Sequence, residues 1–400
     1  MNSTRQIRID PDGPDSPSLP DVPSSLCEGT VAAPLDRCAG KPRIERFPVL
    51  DIVRMAAAMA VVFYHYCFYF GVDDAARGNR PWPELAAMAR YGHLGVQLFF
   101  MISGFLVLQS ALSKDVAGFL RARVVRLYPA FLVCCTITYA AVAFIPGEPH
   151  ALVNYLYNLT MLNGLVDSFR GVPPDYLDGS YWTLALEWKF YLLIAILIAL
   201  RQLRYIERAL WGWAAASVVA CFHSSPWLVD YALTPWSAYF IAGAAFFRGH
   251  SRGWTAPRVV LVMAAFVLCL IHTGEQNEQL AAAHGTHFSM AVSLGIVTAG
   301  FALFAALSAR PLRIGFLQPR LVVLLGALSY PVYLLHFRLG AAQVRLLWSR
   351  IDPVMLLVAM VAAVVIVAYI VHAGVERPAW RILRRRRAET FVPSAPLSAG

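Results

Sequence analysis

From residue 49 onward, apolar segments of membrane-crossing length alternate with short polar joints. They fall near residues 49–71, 92–111, 126–146, 180–200, 209–225, 230–248, 257–273, 286–308, 321–341 and 354–373. This pattern predicts an all-α fold, a polytopic membrane helix bundle with about ten transmembrane helices. The run from Leu152 to Leu165 is apolar but short, and it contains Asn154, Asn158 and Asn163. It is expected to be an interfacial or re-entrant piece. Ten crossings place both termini on one side.

Loop charge decides which side. With a cytoplasmic amino terminus, the four inner loops carry thirteen basic residues, from Lys114 and Arg121 to Arg320, and the five outer loops carry six. The outer loops hold most of the loop acids, among them Asp175, Asp178, Glu275 and Glu278. Lys41, Arg43 and Arg46 precede the first span, and Arg381 with Arg384 to Arg387 follows the last. Both ends are therefore expected in the cytoplasm.

Residues 1–45 differ in kind: prolines recur at Pro11, Pro14, Pro17, Pro20 and Pro23 with Ser and Asp between them. They predict a disordered cytoplasmic tail, with a polyproline II ligand as the sharper but less economical reading. Residues 46–380 form the membrane domain and 381–400 a basic cytoplasmic tail, which could also meet anionic lipid. Composition agrees, at 58% hydrophobic against 14% charged. The net charge of +10 then follows from loop arginines and implies no nucleic acid partner. Of seven cysteines, five lie in apolar spans and two in the tail, without CxxC spacing, so no metal is expected.

Against this apolar background the ionisable residues stand out. RFPVLDIVRMAAAMAVVFYHYCFYF carries Asp51, Arg54 and His65 within a span, where each costs several kcal/mol unless paired or hydrated. Eleven positions separate Arg54 from His65, so they share one helix face about 16 Å apart. The bland reading is an Asp51–Arg54 ion pair plus a core histidine. Depth argues for more: His65 lies about 24 Å from the inner edge of its span, His336 about 22 Å, and Glu187 about 10 Å from the outer edge. These three helices are expected to share a polar cavity in the outer half of the bilayer, with Glu187 as partner of His65.

In GHLGVQLFFMISGFLVL, the small residues Gly92, Gly95 and Gly104 suit close helix packing, and Ser103 could bond into the cavity. FLRARVVRLYP places Arg123 and Arg126 one turn apart, an arrangement suited to phosphate oxygens, with ordinary inner-loop arginines as the alternative. Glu187 and Lys189 point to different faces and cannot simply neutralise each other. Pro331 is expected to break the ninth span near Ser329 and Tyr330.

The ordered series LDIVRMAAAMAVVFYHY, GVQLFFMISGFL, FLRARVVRLYP, YWTLALEWKFY, LSYPVYLLH and VERP resembles the membrane acyltransferase family called acyltransferase 3, over about residues 46–380. The resemblance implies a ten-helix enzyme of a bacterial plasma membrane. Such an enzyme moves an acyl group, commonly acetyl from acetyl coenzyme A, onto a hydroxyl of a carbohydrate or glycosylated natural product. It implies His65 as the catalytic histidine, Arg54 as its partner arginine, Arg123 and Arg126 as the cytoplasmic pair, and Glu187 as the glutamate of the aromatic-rich helix. Ile52 and Met55 depart from the glycines of many members, and the extra hydrolase-like domain of some members is not expected here.

The expected mechanism seats the coenzyme phosphates at Arg54, Arg123 and Arg126 and uses His65 as base with Glu187 orienting its ring. Ser103, Tyr330 or His336 would serve the oxyanion in a cavity that includes Asp51. A direct transfer and an acyl-histidine intermediate both fit. The rival is a transporter or flippase using intramembrane His and Glu as a proton relay, whose inverted repeats are not visible. A membrane sensor with a degenerate enzyme core is a third reading, and intact His65, Arg54 and Glu187 weigh against it.

Overall fold

A computed structural model describes residues 46–70, 83–143, 152–172, 175–223, 236–310, 317–348 and 350–382. The expected amino-terminal tail and all but the first two residues of the expected basic tail lie outside these residues. Every regular element among the described residues is helical: α1 (Pro48–Phe63), α2 (Pro83–Ala89), α3 (Gly95–Ala111), α4 (Val116–Ala143), α5 (Leu152–Leu159), α6 (Asn163–Arg170), α7 (Trp182–Ala199), α8 (Ile206–Phe222), α9 (Ser237–Arg252), α10 (Ala256–His284), α11 (Met290–Ala309), α12 (Pro319–Leu347) and α13 (Pro353–Val371). Eight helical stretches, built on α1, α2 with α3, α4, α7, α10, α11, α12 and α13, are long and apolar enough to cross a membrane. The two other expected spans fall on α8 and α9, of 17 and 16 residues.

The short α9 is apolar along most of its circumference, and it is buried continuously from Ser237 to Gly249. A helix hydrophobic on all sides belongs inside a bundle. Its closest neighbour is α3, and glycine makes the approach possible. A Cβ on Gly104 would sit 2.2 Å from the Phe240 carbonyl oxygen, and one on Gly243 would sit 2.0 Å from that of Met101. The small residues of α3 therefore do pack helices, as the plain reading held. α1 lies against both α3 and α12.

Both ends of the bundle are tied by polar groups. On the arginine-rich side, Glu207 of α8 meets Arg248 of α9 and Arg258 of α10, each at 2.8 Å. These arginines, expected from the sequence to orient the chain, thus also tie three helices together. On the other side, the expected interfacial piece forms α5 and α6, with Met161 between them at φ 56°. Asn158 gathers the segment: its amide donates to the Asn154 and Asp175 carbonyls, and its oxygen accepts from Asn163 and the Leu177 backbone. Asp178 is fully enclosed and accepts from the Ser180 backbone at 2.8 Å and the Arg338 backbone at 3.0 Å. Burial pushes its carboxyl above the usual range, against those hydrogen bonds.

Contrary to the expected break, α12 runs through Pro331 as one helix. Proline removes one donor, which leaves the Ala327 carbonyl without its usual partner, but packing on several sides sustains the helix.

Candidate active site

α1 passes into a π-helical turn, Tyr64–Tyr69, and His65 stands at its start. Such turns place side chains off the regular helical register and recur at functional sites. His65 is half-buried, and its ring faces that of His336 from α12 at a centroid distance of 4.9 Å. His65 Nδ1 lies 3.0 Å from the Val61 carbonyl oxygen and 3.0 Å from His336 Nε2. His336 is fully buried, and its Nδ1 donates to the Tyr333 carbonyl at 2.6 Å. Around His65 stand the half-buried rings of Tyr69, Phe70 and Phe337, at 5.5, 6.4 and 4.9 Å. The depth argument therefore brought the two histidines together correctly.

It failed for Glu187. That carboxylate accepts from Ser103 and from Tyr191, each at 2.5 Å, and no described hydrogen bond joins it to either histidine. α7 begins beneath the enclosed Asp178–Ser180 turn, where Thr183 bonds the Tyr333 hydroxyl at 3.0 Å. Glu187, one turn beyond Thr183, lines a cavity with Tyr330 and does not reach His336.

Glu187 instead lines a cavity of about 310 Å³ with Asp51, Arg54, Ser103, Arg126 and Tyr330. Arg46 and Trp380 lie on its walls, as do Phe99, Thr183 and Tyr333. Asp51 lies 4.0 Å from Arg54 and 3.2 Å from Arg46, so the expected ion pair exists inside a larger site. The Tyr330 hydroxyl is buried without a partner, and Arg126 makes no hydrogen bond to a described residue. The cavity thus holds three guanidiniums, Arg46, Arg54 and Arg126, beside three carboxylates, Asp51, Glu187 and Glu376.

A second cavity of about 370 Å³ shares Arg46, Asp51 and Arg126 and adds Ser110, Lys114 and Arg123. The arginine pair is thus brought together, but its members differ. Arg123 is buried, donates to Ser110 at 2.9 Å, and stacks over the rings of Phe119 and Tyr191. His336, expected among the cavity residues, lies outside the first cavity. Between them stands Tyr333, which lines the cavity and whose ring is 5.4 Å from that of His336.

Sequence reasoning missed Tyr333 and Thr183. Tyr333 lies three residues before His336, one helical turn away, and that spacing was the available signal. Nothing comparable marked Thr183.

The sequence profile of the acyltransferase domain defining the acyltransferase 3 family matches residues 47–373. The chain belongs to this family. Acyltransferase MdmB of Streptomyces mycarofaciens is 30% identical over 389 residues, which cover 88% of this chain and 96% of that protein. An O-acetyl transferase of Shigella phage Sf6 is 24% identical over 242 residues, 54% of this chain and 67% of that protein. The O-acetyltransferase OatA of Staphylococcus aureus is 29% identical over 177 residues, 40% of this chain and only 26% of that protein. No solved structure matches. With its membrane-competent helices, this member of the acyltransferase 3 family is a multi-pass integral membrane O-acyltransferase. The transporter reading falls, and the separation of Glu187 from the histidines removes its relay.

Proposed function

We propose that the protein transfers an acyl group, acetyl in the first instance, from acyl coenzyme A to a hydroxyl of a carbohydrate or glycosylated acceptor, with His65 as the base. The observation that carries this reading is the cavity that begins among Arg46, Arg54 and Arg126 and ends at Tyr333, one ring from the His336–His65 pair. Arg46, Arg54 and Arg126 share the first cavity with Asp51, Glu187 and Glu376, and the second cavity, where Lys114 and Arg123 join Arg46 and Arg126 against Asp51 alone, is the more basic and suits the coenzyme phosphates. Tyr330 offers an unused hydroxyl to the pantetheine amides or thioester carbonyl.

The relatives named as O-acetyltransferases favour acetyl. The aromatic rings around His65 favour an acceptor with apolar C–H faces, such as a sugar ring. Loop charge supports ten crossings with both termini in the cytoplasm of a bacterial cell, the donor entering from inside and the acceptor from outside.

In the reaction, His65 takes the acceptor hydroxyl proton as the oxygen bonds to the thioester carbon. The C–S bond then breaks, and the imidazolium returns the proton to the departing sulfur, giving ester and free thiol. Direct transfer needs no covalent histidine.

His65→Ala tests the reading. Loss of a general base removes about 10² to 10⁴ in rate, so turnover per folded molecule should collapse while acyl coenzyme A still binds. Near-normal turnover in the folded variant would remove His65 from the chemistry. Mass spectrometry of glycans and secreted glycosides, with and without the gene, would identify the acceptor by its lost acetyl mass.

A further inference from the structure

We propose that His336 is a positioning residue that fixes the His65 tautomer, leaving His65 Nε2 as the nitrogen that receives the acceptor's proton. The proposal rests on the reading of His65 as the base, and it assigns His336 a role other than lining the cavity or serving the oxyanion.

The chain of hydrogen bonds leaves little choice. A backbone carbonyl only accepts, so the 2.6 Å contact with the Tyr333 oxygen places a proton on His336 Nδ1. A neutral ring protonated there presents a lone pair at Nε2. That lone pair faces His65 Nδ1 at 3.0 Å. His65 Nδ1 faces a second acceptor, the Val61 carbonyl, also at 3.0 Å. Both neighbours of His65 Nδ1 therefore demand a proton on it, and the neutral ring is left with its lone pair on Nε2.

Burial reinforces the assignment. His336 has no exposed surface, and both its nitrogens are engaged, so it cannot meet an acceptor or a thioester itself. His65 is half-buried on the side of Tyr69, Phe70 and Phe337. The other titratable groups nearby are Tyr64 and Tyr69 on its own helical turn, with His93 packed against Tyr64 and His284 packed against Tyr69. No described carboxylate hydrogen-bonds to either ring of the pair. The arrangement thus does with an imidazole what a carboxylate does in a Ser-His-Asp triad, holding tautomer and orientation without a fixed negative charge. It also gives the His65 imidazolium a second nitrogen to share its proton during turnover.

The test uses full-length protein in detergent, with histidine nitrogens isotopically labelled. Nitrogen chemical shifts distinguish the tautomers, and His65→Ala and His336→Gln assign the two signals. The expected wild-type spectrum shows both rings protonated at Nδ1. In His336→Leu only the Val61 carbonyl is left to hold the Nδ1 proton, so the His65 signal should move part of the way toward a mixture of tautomers, and kcat should fall at least tenfold with donor KM unchanged. His336→Gln, whose amide oxygen reaches the same position, should recover part of kcat and narrow the tautomer mixture. A His65 protonated at Nε2 in the wild type overturns the proposal, as does a folded His336→Leu with kcat within twofold of wild type. If His336→Leu does not fold, the wild-type spectrum and the Gln variant decide. The tautomers are read without any reaction, so a failed acyltransferase reading shows separately, as wild-type protein that transfers nothing.

Discussion

Arg123 and Arg126 sit one turn apart, yet the structure makes them unequal, and single substitutions separate their roles. Arg123 is a wall residue: its guanidinium carbon lies 5.7 Å from the centre of Phe119 and 5.6 Å from that of Tyr191, and it donates to Ser110 at 2.9 Å. Each desolvated cation–π contact contributes about 0.5 to 2 kcal/mol and the charged hydrogen bond about 1.5 to 3. These do not add fully, so Arg123→Ala should cost roughly 3 kcal/mol, a Tm fall of roughly 5 °C in detergent. Arg126 is half-buried, lines both cavities and spends no described hydrogen bond on the fold. Arg126→Ala should leave Tm nearly unchanged and raise donor KM, since one charge-assisted phosphate contact is worth about 1.5 to 3 kcal/mol, or roughly 10- to 100-fold. Thermal shift and initial rates against acyl coenzyme A measure both. An unchanged donor KM for Arg126→Ala would refute the reasoning. So would an Arg123→Ala protein of unaltered Tm whose KM rises as far as that of Arg126→Ala.

Gly326→Ala should damage the cavity mouth, because the new Cβ would lie 2.4 Å from Asp51 Oδ1 and 2.6 Å from its Cβ. Overpacking of that kind costs about 1 to 3 kcal/mol and would shift Asp51 beside Arg54, so Tm should fall and donor KM rise together; neither moving would contradict the close α1–α12 approach. Reporter fusions after Arg201 and Arg252 should read cytoplasmic, and fusions near Asp175 and Glu278 external. A cytoplasmic signal at Glu278 would undo both the orientation and the inner entry of the donor.

Much of this was legible because the membrane makes sequence speak plainly. Apolar length located the helices, and the cost of an ionisable group in hydrocarbon singled out Asp51, Arg54, His65, Glu187 and His336 before any coordinates. Spacing along one helix was also reliable, and Asp51, Arg54 and the Arg123–Arg126 pair meet where a regular helix puts them. Positions between helices were not, because they depend on where each helix begins. Depth counted along the fourth span carries Glu187 to His65. In the fold Thr183 meets Tyr333 at the start of α7, and Glu187 comes to Ser103 and Tyr191. No single-sequence signal reports that offset, which is set by the fold of α5, α6 and the Asn158 knot. The π-helical turn at Tyr64–Tyr69 was hidden for a similar reason, since its composition is that of any apolar helix.

The separation of the cavity from the base has its own consequence. Tyr333 closes the cavity with its hydroxyl on Thr183 at 3.0 Å, packs its ring on Phe99 at 5.5 Å, and gives its backbone carbonyl to His336. One residue thus bounds the cavity with its side chain and holds the histidine pair with its main chain. If the thioester reaches His65 through this cavity, the Tyr333 ring must turn while its carbonyl stays in place, which a side-chain rotation permits and a shift of α12 does not. The hydroxyl contacts resisting that turn, to Thr183 and to the Ser180 carbonyl at 3.3 Å, are together worth about 1 to 3 kcal/mol, within what binding of a donor could supply.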